Sequence, residues 1–321
     1  MSLSRRRFLM SSMAAPALIS LPKVLHAKGP AAKALPATVR FTVGEATVTA
    51  LLDGYLDAAP GLLSDFDEPA VTSALADAQQ TLQPGGVRIP VNAFLIEQGA
   101  RKTLIDAGSS NLMGDTLGAM GAALEAIGVS AMDIDAVALT HMHPDHAGGL
   151  LNTDGSAAFP NAQIAVSETE FNFWHDDAIM ASVPESSRSF FQMARNSVAP
   201  YKAQLLFHTN EQEPWAGLVA LPLPGHTPGH TGYLLQSGGE QLLFWGDIVH
   251  MTALQFANPG LTLAFDGDPK QTVDTRLQMF DRAVADNLLV TGAHLDFPGF
   301  GKVQKSANGF SYQAAPWQYG A

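Results

Sequence analysis

Four ligand-capable side chains fall within six residues at His141-Met142-His143-Pro144-Asp145-His146. Neutral imidazole and carboxylate suit zinc, manganese, iron or cobalt. The segment follows the apolar run 134–139 and precedes Ala147-Gly148-Gly149, so it reads as a loop leaving a buried strand. There the four groups can converge on one small volume, His141 and His143 facing one ion and Asp145 and His146 a second. Three later segments each place one more ligand at the end of a strand-like run. His226 follows residues 221–224, Asp247 follows 242–245 and Gly246, and His294 follows 288–290 and Gly292-Ala293. A lone histidine in such a place is more often a packed core residue. Ligands offered at four separate strand ends indicate a metal site. The chain has no cysteine, which excludes disulfides and thiolate ligands, so any metal is held by nitrogen and oxygen.

The elements that must position these residues follow from periodicity. Residues 39–43 and 46–53 alternate apolar and polar side chains around Gly44-Glu45, a hairpin; 91–96 and 102–105 form another, and 231–235 with 241–245 a third. Residues 57–68 read as a loop, and strands are expected at 134–139, 163–166, 205–208, 217–223 and 287–290. Helical spacing predicts helices at 69–82, 113–127, 168–174, 188–195 and 270–285. Two halves, each with hairpins followed by helices, predict two sheets packed face to face with helices outside. After a Pro/Ala linker at 28–38 we expect one domain over 39–321.

The formal charge is −12, and residues 1–27 carry four positive charges and no acids, so a chain beginning after them carries −16. Such a surface repels nucleic acid and anionic lipid and favours small neutral or hydrophobic substrates. Ser4-Arg5-Arg6-Arg7-Phe8-Leu9 fits a twin-arginine export signal, with residues 1–27 as signal peptide and a cleavage point at Leu25-His26-Ala27. The apolar stretch 10–21, broken by Ser and Pro, is too short to cross a hydrocarbon layer of about 30 Å. The expectation is a periplasmic or otherwise exported protein with no stable membrane span.

The His-x-His-x-Asp-His motif, followed in order by His226, Asp247 and His294, resembles the metallo-β-lactamase superfamily over residues 39–300. The resemblance implies an α/β fold, an αββα four-layer sandwich. It implies a first metal on His141, His143 and His226, a second on Asp145, His146 and His294, and Asp247 bridging both. A hydroxide between the two divalent ions, zinc foremost, would be the nucleophile, with Asp145 and Asp247 as the catalytic carboxylates. Asp106 matches the family's acidic residue behind the metal loop, and Thr140 and Thr227 could orient ligands by hydrogen bonds. His230 reads as structural.

Within the superfamily the chain is similar to methyl parathion hydrolase and its lactonase-like relatives. The matching stretches include Thr140 to Leu150, Phe159-Pro160-Asn161-Ala162, Phe173-Trp174, Gln255-Phe256 with Pro259, and Ala293-His294-Leu295 with Phe297-Pro298-Gly299. This likeness implies an exported homodimer that hydrolyses lactones, aryl esters or organophosphate triesters. The expected pocket comprises Met113, Trp174, Phe190, Phe191, His250, Leu263 and Phe265, with Tyr201 the one tyrosine considered for positioning a substrate carbonyl. Two alternatives stand beside this reading: a non-catalytic metal-binding exported protein, and another thioesterase or β-lactamase-like hydrolase of the same fold.

Overall fold

Strand β1 (Thr38–Val43) turns back into the long β2 (Ala46–Ala58), which pairs antiparallel with β3 (Val87–Gln98), as β3 does with β4 (Arg101–Ile105). β5 (Ala136–Ala138), β6 (Gln163–Ser167) and β7 (Leu205–His208) then add in parallel, giving a seven-stranded sheet in sequence order. A six-stranded sheet follows. It comprises β8 (Leu218–Pro222), β9 (Thr231–Ser237), β10 (Glu240–Phe244), β11 (Leu289–Thr291), β12 (Gly301–Ser306) and β13 (Gly309–Ala314), with only β10 and β11 parallel. This computed structural model describes residues 35–319 apart from 111, 210 and 308. The expected signal, 1–27, and most of the linker lie outside the described residues. From Pro36 onward the chain packs as one compact unit.

The alternation of side chains explains the layers, because successive residues of a strand point to opposite faces. Phe94, Ile105 and Ala138 of the first sheet meet Tyr233, Leu235, Leu242 and Phe244 of the second in a core between the sheets. Their neighbours point outward. Leu95, Leu104 and Val137 pack against α2 (Met120–Ala126), α3 (Pro144–Ala147), α4 (Glu168–His175) and α6 (Glu185–Val198). On the other side, Leu234, Leu243 and Val290 pack under Met279, Phe280 and Ala283 of α8 (Pro269–Ala285). The result is the four-layer αββα sandwich. A further cluster joins α1 (Glu68–Asp77) and α7 (Thr252–Gln255) beside the ends of β2 and β3.

Several boundaries differ from the sequence reading. The helix expected at 113–127 starts at Met120, because the buried Asp53 carboxylate accepts the N–H groups of Gly118 and Met120 and bends the chain into the helix there. β2 continues to Ala58, into the expected loop. Helix α5 (Asp177–Ser182) was not anticipated; Asp176 caps it by accepting the N–H groups of Ala178 and Ile179. The β12–β13 hairpin was also missed, and it extends the second sheet through Val303 and Phe310. Among the described residues no helix is long and apolar enough to cross a membrane.

Candidate metal centre

Every expected ligand sits just past a strand end, on one rim shared by both sheets. His141 to His146 lie in the loop after β5 and the first turn of α3, whose N-cap is His143 and whose second residue is Asp145. His226, Asp247 and His294 follow β8, β10 and β11. Asp247 reaches the centre through a backbone only glycine can supply: Gly246 has φ +55, and a Cβ there would lie 2.5 Å from His230 Nε2.

The seven groups converge. His143 Nδ1 lies 2.9 Å from both His141 Nε2 and His226 Nε2. Asp145, His146 and His294 form a second group of ligand atoms within 4.8 Å of one another. Asp247 stands between them, its Oδ2 3.1 Å from His294 Nε2, 3.2 Å from His146 Nε2, 3.4 Å from His226 Nε2 and 3.6 Å from His141 Nε2.

Hydrogen bonds behind the ligands fix which nitrogen faces inward. His146 Nδ1 donates to Asp106 Oδ2 at 2.8 Å, His226 Nδ1 to Asp266 Oδ1 at 2.9 Å, and His294 Nδ1 to the carbonyl of Pro90 at 2.8 Å. His141 Nδ1 lies 3.1 Å from Thr140 Oγ1, whose own proton goes to Asp106. Each Nε2 is left as a lone-pair donor aimed at the centre. The buried atoms His146 Nε2 and Asp247 Oδ1 have no hydrogen-bond partner. Unpaired buried polar atoms are costly, so a centre that leaves them open fits a cation bound by nitrogen and oxygen. The centre also favours an anion at Asp247: burial opposes its charge, but the surrounding imidazoles in their protonated forms, His146 first, hold its carboxyl well below the usual range.

His230 stays out of this set because both its nitrogens are used. Nδ1 bonds the carbonyl of Leu223 at 2.9 Å, and Nε2 accepts the Asp247 N–H at 3.0 Å. Burial, then neighbouring His226, lowers its pKa to about 3, which keeps it neutral. His250 was expected as a pocket residue; its Nε2 lies 3.3 Å from Asp247 Oδ2, and it lines the cavity.

An apolar cavity of about 240 Å³ opens above the centre. Of the expected walls, Met113, Trp174, Phe190, Phe191, His250 and Phe265 line it. Leu56, Ile89 and Ala264 were not foreseen. Three assignments are corrected. Leu263 is not a lining residue: it is buried in the α1–α7 cluster, where its backbone bridges to Leu63. Tyr201 is wholly buried, its hydroxyl donating to the carbonyl of Leu150 and accepting the Phe159 N–H, so it cannot reach a substrate. Thr227 orients no ligand directly; its hydroxyl donates to Glu170 at 2.6 Å. Asp266 and Glu170 went unrecognised, since an isolated acid carries no spacing signal.

The sequence matches the metallo-beta-lactamase superfamily over residues 86–292. The fold is similar to that of the hydrolase AbOPH of the beta lactamase superfamily, with 32% identity, 89% of this chain and 100% of that one covered, and a TM-score of 0.84. A second similar fold is that of AidC, a dizinc quorum-quenching lactonase solved with a product, at 24% identity, covering 89% of this chain and 99% of that one, with a TM-score of 0.81. Among curated relatives, the uncharacterized protein YobT of Bacillus subtilis (strain 168) is 31% identical over 45% of this chain and 57% of its own length. A probable metallo-hydrolase of Mycobacterium tuberculosis (strain ATCC 25618 / H37Rv) is 30% identical over 39% of this chain and 40% of its own. The chain thus spans about half the length of the curated relatives it matches. With the fold and this match together, the chain belongs to the metallo-beta-lactamase superfamily.

Proposed function

We propose that this chain is a dinuclear metal-dependent hydrolase of neutral esters, acting on lactones or aryl esters first, with organophosphate triesters such as methyl parathion as a side activity. The observation that carries the reading is the position of the nitrogen and oxygen donor cluster at the floor of a cavity with aromatic and aliphatic walls. Two divalent ions, zinc foremost and manganese, iron or cobalt as substitutes, would be held by His141, His143 and His226 and by Asp145, His146 and His294, sharing Asp247. When bound, such ions polarise a substrate oxygen and acidify water towards neutral pH.

The chain's own residues do the rest. Trp174, Phe190, Phe191, Met113 and Phe265 receive the apolar part of the ester and exclude water. Asp145, a carboxylate on the cavity wall, is placed to hold the proton released as water attacks and to pass it to the leaving oxygen. Residues 1–27 serve as a twin-arginine export signal in this reading, and the mature enzyme is an exported homodimer.

The test pairs metal analysis with a panel of dihydrocoumarin, acyl-homoserine lactones, phenyl acetate and methyl parathion. Inactivity of the metal-replete protein on every member sinks the ester reading. Asp247→Ala should abolish metal occupancy and turnover together. Cell fractionation with Arg5 and Arg6 replaced by Lys tests export, and analytical ultracentrifugation tests the dimer.

A further inference from the structure

Glu170 is fully buried, at 0% exposure, and it belongs to none of the ligand groups. It lies in the first turn of α4, one turn ahead of Trp174, so the two share a helix face. Its Oε1 accepts the backbone N–H of Met142 at 2.9 Å and the indole Nε1–H of Trp174 at 2.6 Å. Its Oε2 accepts the hydroxyl of Thr227 at 2.6 Å and the backbone N–H of Gly229 at 3.1 Å. An ionised carboxylate has about four acceptor sites, and all four are filled by donors. Among the described residues it makes no ion pair; burial pushes the carboxyl up, and the hydrogen bonds, that of Thr227 first, oppose it.

The four donors come from three functional segments. Met142 separates the ligands His141 and His143. Thr227 follows the ligand His226, and Gly229 lies two residues on. Trp174 is the cavity wall, its ring packed edge-on against the His143 imidazole with centroids 5.4 Å apart. The close approach is possible because residue 229 is glycine: a Cβ there would fall 2.1 Å from the Glu170 backbone nitrogen. We infer that Glu170 is a positioning residue that locks the His141–His143 loop, the His226 loop and the Trp174 wall into one frame. This rests on the metal-hydrolase reading. It carries that reading further: the distance from ions to pocket wall, and hence the size of acyl or aryl group accepted, is set by one buried carboxylate.

Glutamine cannot replace it. An amide offers acceptors on one side only, so its NH2 would face Thr227 and Gly229; the threonine hydroxyl can turn to accept, but the Gly229 N–H is left without a partner.

The experiment compares zinc-loaded wild type with Glu170→Gln, reading zinc loss to excess EDTA, the Trp indole resonances in a ¹H–¹⁵N spectrum, and kcat and KM on phenyl acetate. Trp174→Phe assigns the Trp174 resonance and removes that one donor. In Glu170→Gln, zinc loss should quicken by about tenfold or more, the Trp174 indole proton should move upfield, and KM should rise. Trp174→Phe should raise KM while zinc loss stays as in wild type. Zinc loss unchanged in Glu170→Gln overturns the proposal. Should that variant fail to fold, Thr227→Val removes a single bond and should quicken zinc loss about tenfold, the equivalent of one hydrogen bond to a charged carboxylate; no change there is equally fatal. Wild-type protein that takes up no metal would instead sink the hydrolase reading, and this inference with it.

Discussion

Asp266 Oδ1 lies 2.9 Å from Nδ1 of His226, while its Oδ2 accepts the backbone N–H of Leu263 at 2.9 Å. One carboxylate thus ties the turn that carries Phe265 to a metal-facing imidazole. Burial works against its charge, but the bond to His226 and that ring's field hold Asp266 below the usual carboxylate range. Asp266→Asn should therefore weaken metal binding by about 10- to 100-fold, read by competition with a chromogenic chelator. An unchanged affinity would refute the role.

Arg276 is buried in α8 without a paired carboxylate. Its Nε donates to the carbonyl of Ile248 at 2.5 Å, and Nη1 to those of Pro259 and Leu261 at 2.6 and 2.8 Å. Burial lowers its pKa to about 10, so it stays charged at neutral pH. Arg276→Met leaves the carbonyls of Ile248 and Pro259 without a donor, while that of Leu261 keeps Gln255 Nε2, and should cost about 3 kcal/mol. Urea unfolding measures it, and a loss within error of zero would contradict the bracing role.

His208 is buried at the end of β7, its Nε2 2.9 Å from the Tyr233 hydroxyl. Burial lowers its pKa from 6.5. The folded state therefore keeps it neutral where the unfolded chain takes up a proton. Its contribution to stability is full above about pH 6.5 and is lost as pH falls towards the folded value. Unfolding midpoints between pH 7 and 5 should drop less steeply in His208→Gln than in wild type. Parallel slopes would rule His208 out.

Trp174→Ala removes the largest ring of the pocket wall. KM for phenyl acetate should rise about tenfold, the cost of roughly 1.4 kcal/mol of apolar contact, with kcat changed less. Equal KM values would show that the aryl group binds elsewhere.

The ligand set was legible because it is written at short range or at strand ends. His141 to His146 occupy six positions, and Asp247 and His294 follow apolar runs that became β10 and β11. The layers were legible from alternation, as at Phe94 and Leu95. What escaped is long-range. Asp266 and Glu170 meet their partners across 40 and 57 positions, and nothing local marks a carboxylate as buried rather than solvated. Tyr201 shows the converse error, an aromatic with a polar tip that the fold spends on Leu150 and Phe159. The β12–β13 hairpin was missed because four of the six residues from Gly301 to Ser306 are polar, as befits the outer part of a sheet.

The first sheet delivers His141 through His146, and the second delivers His226, Asp247 and His294. Neither half owns a complete coordination sphere, so cations seated there would act as rivets across the seam. Catalytic competence and cohesion of the two halves would then be gained, and surrendered, in a single event.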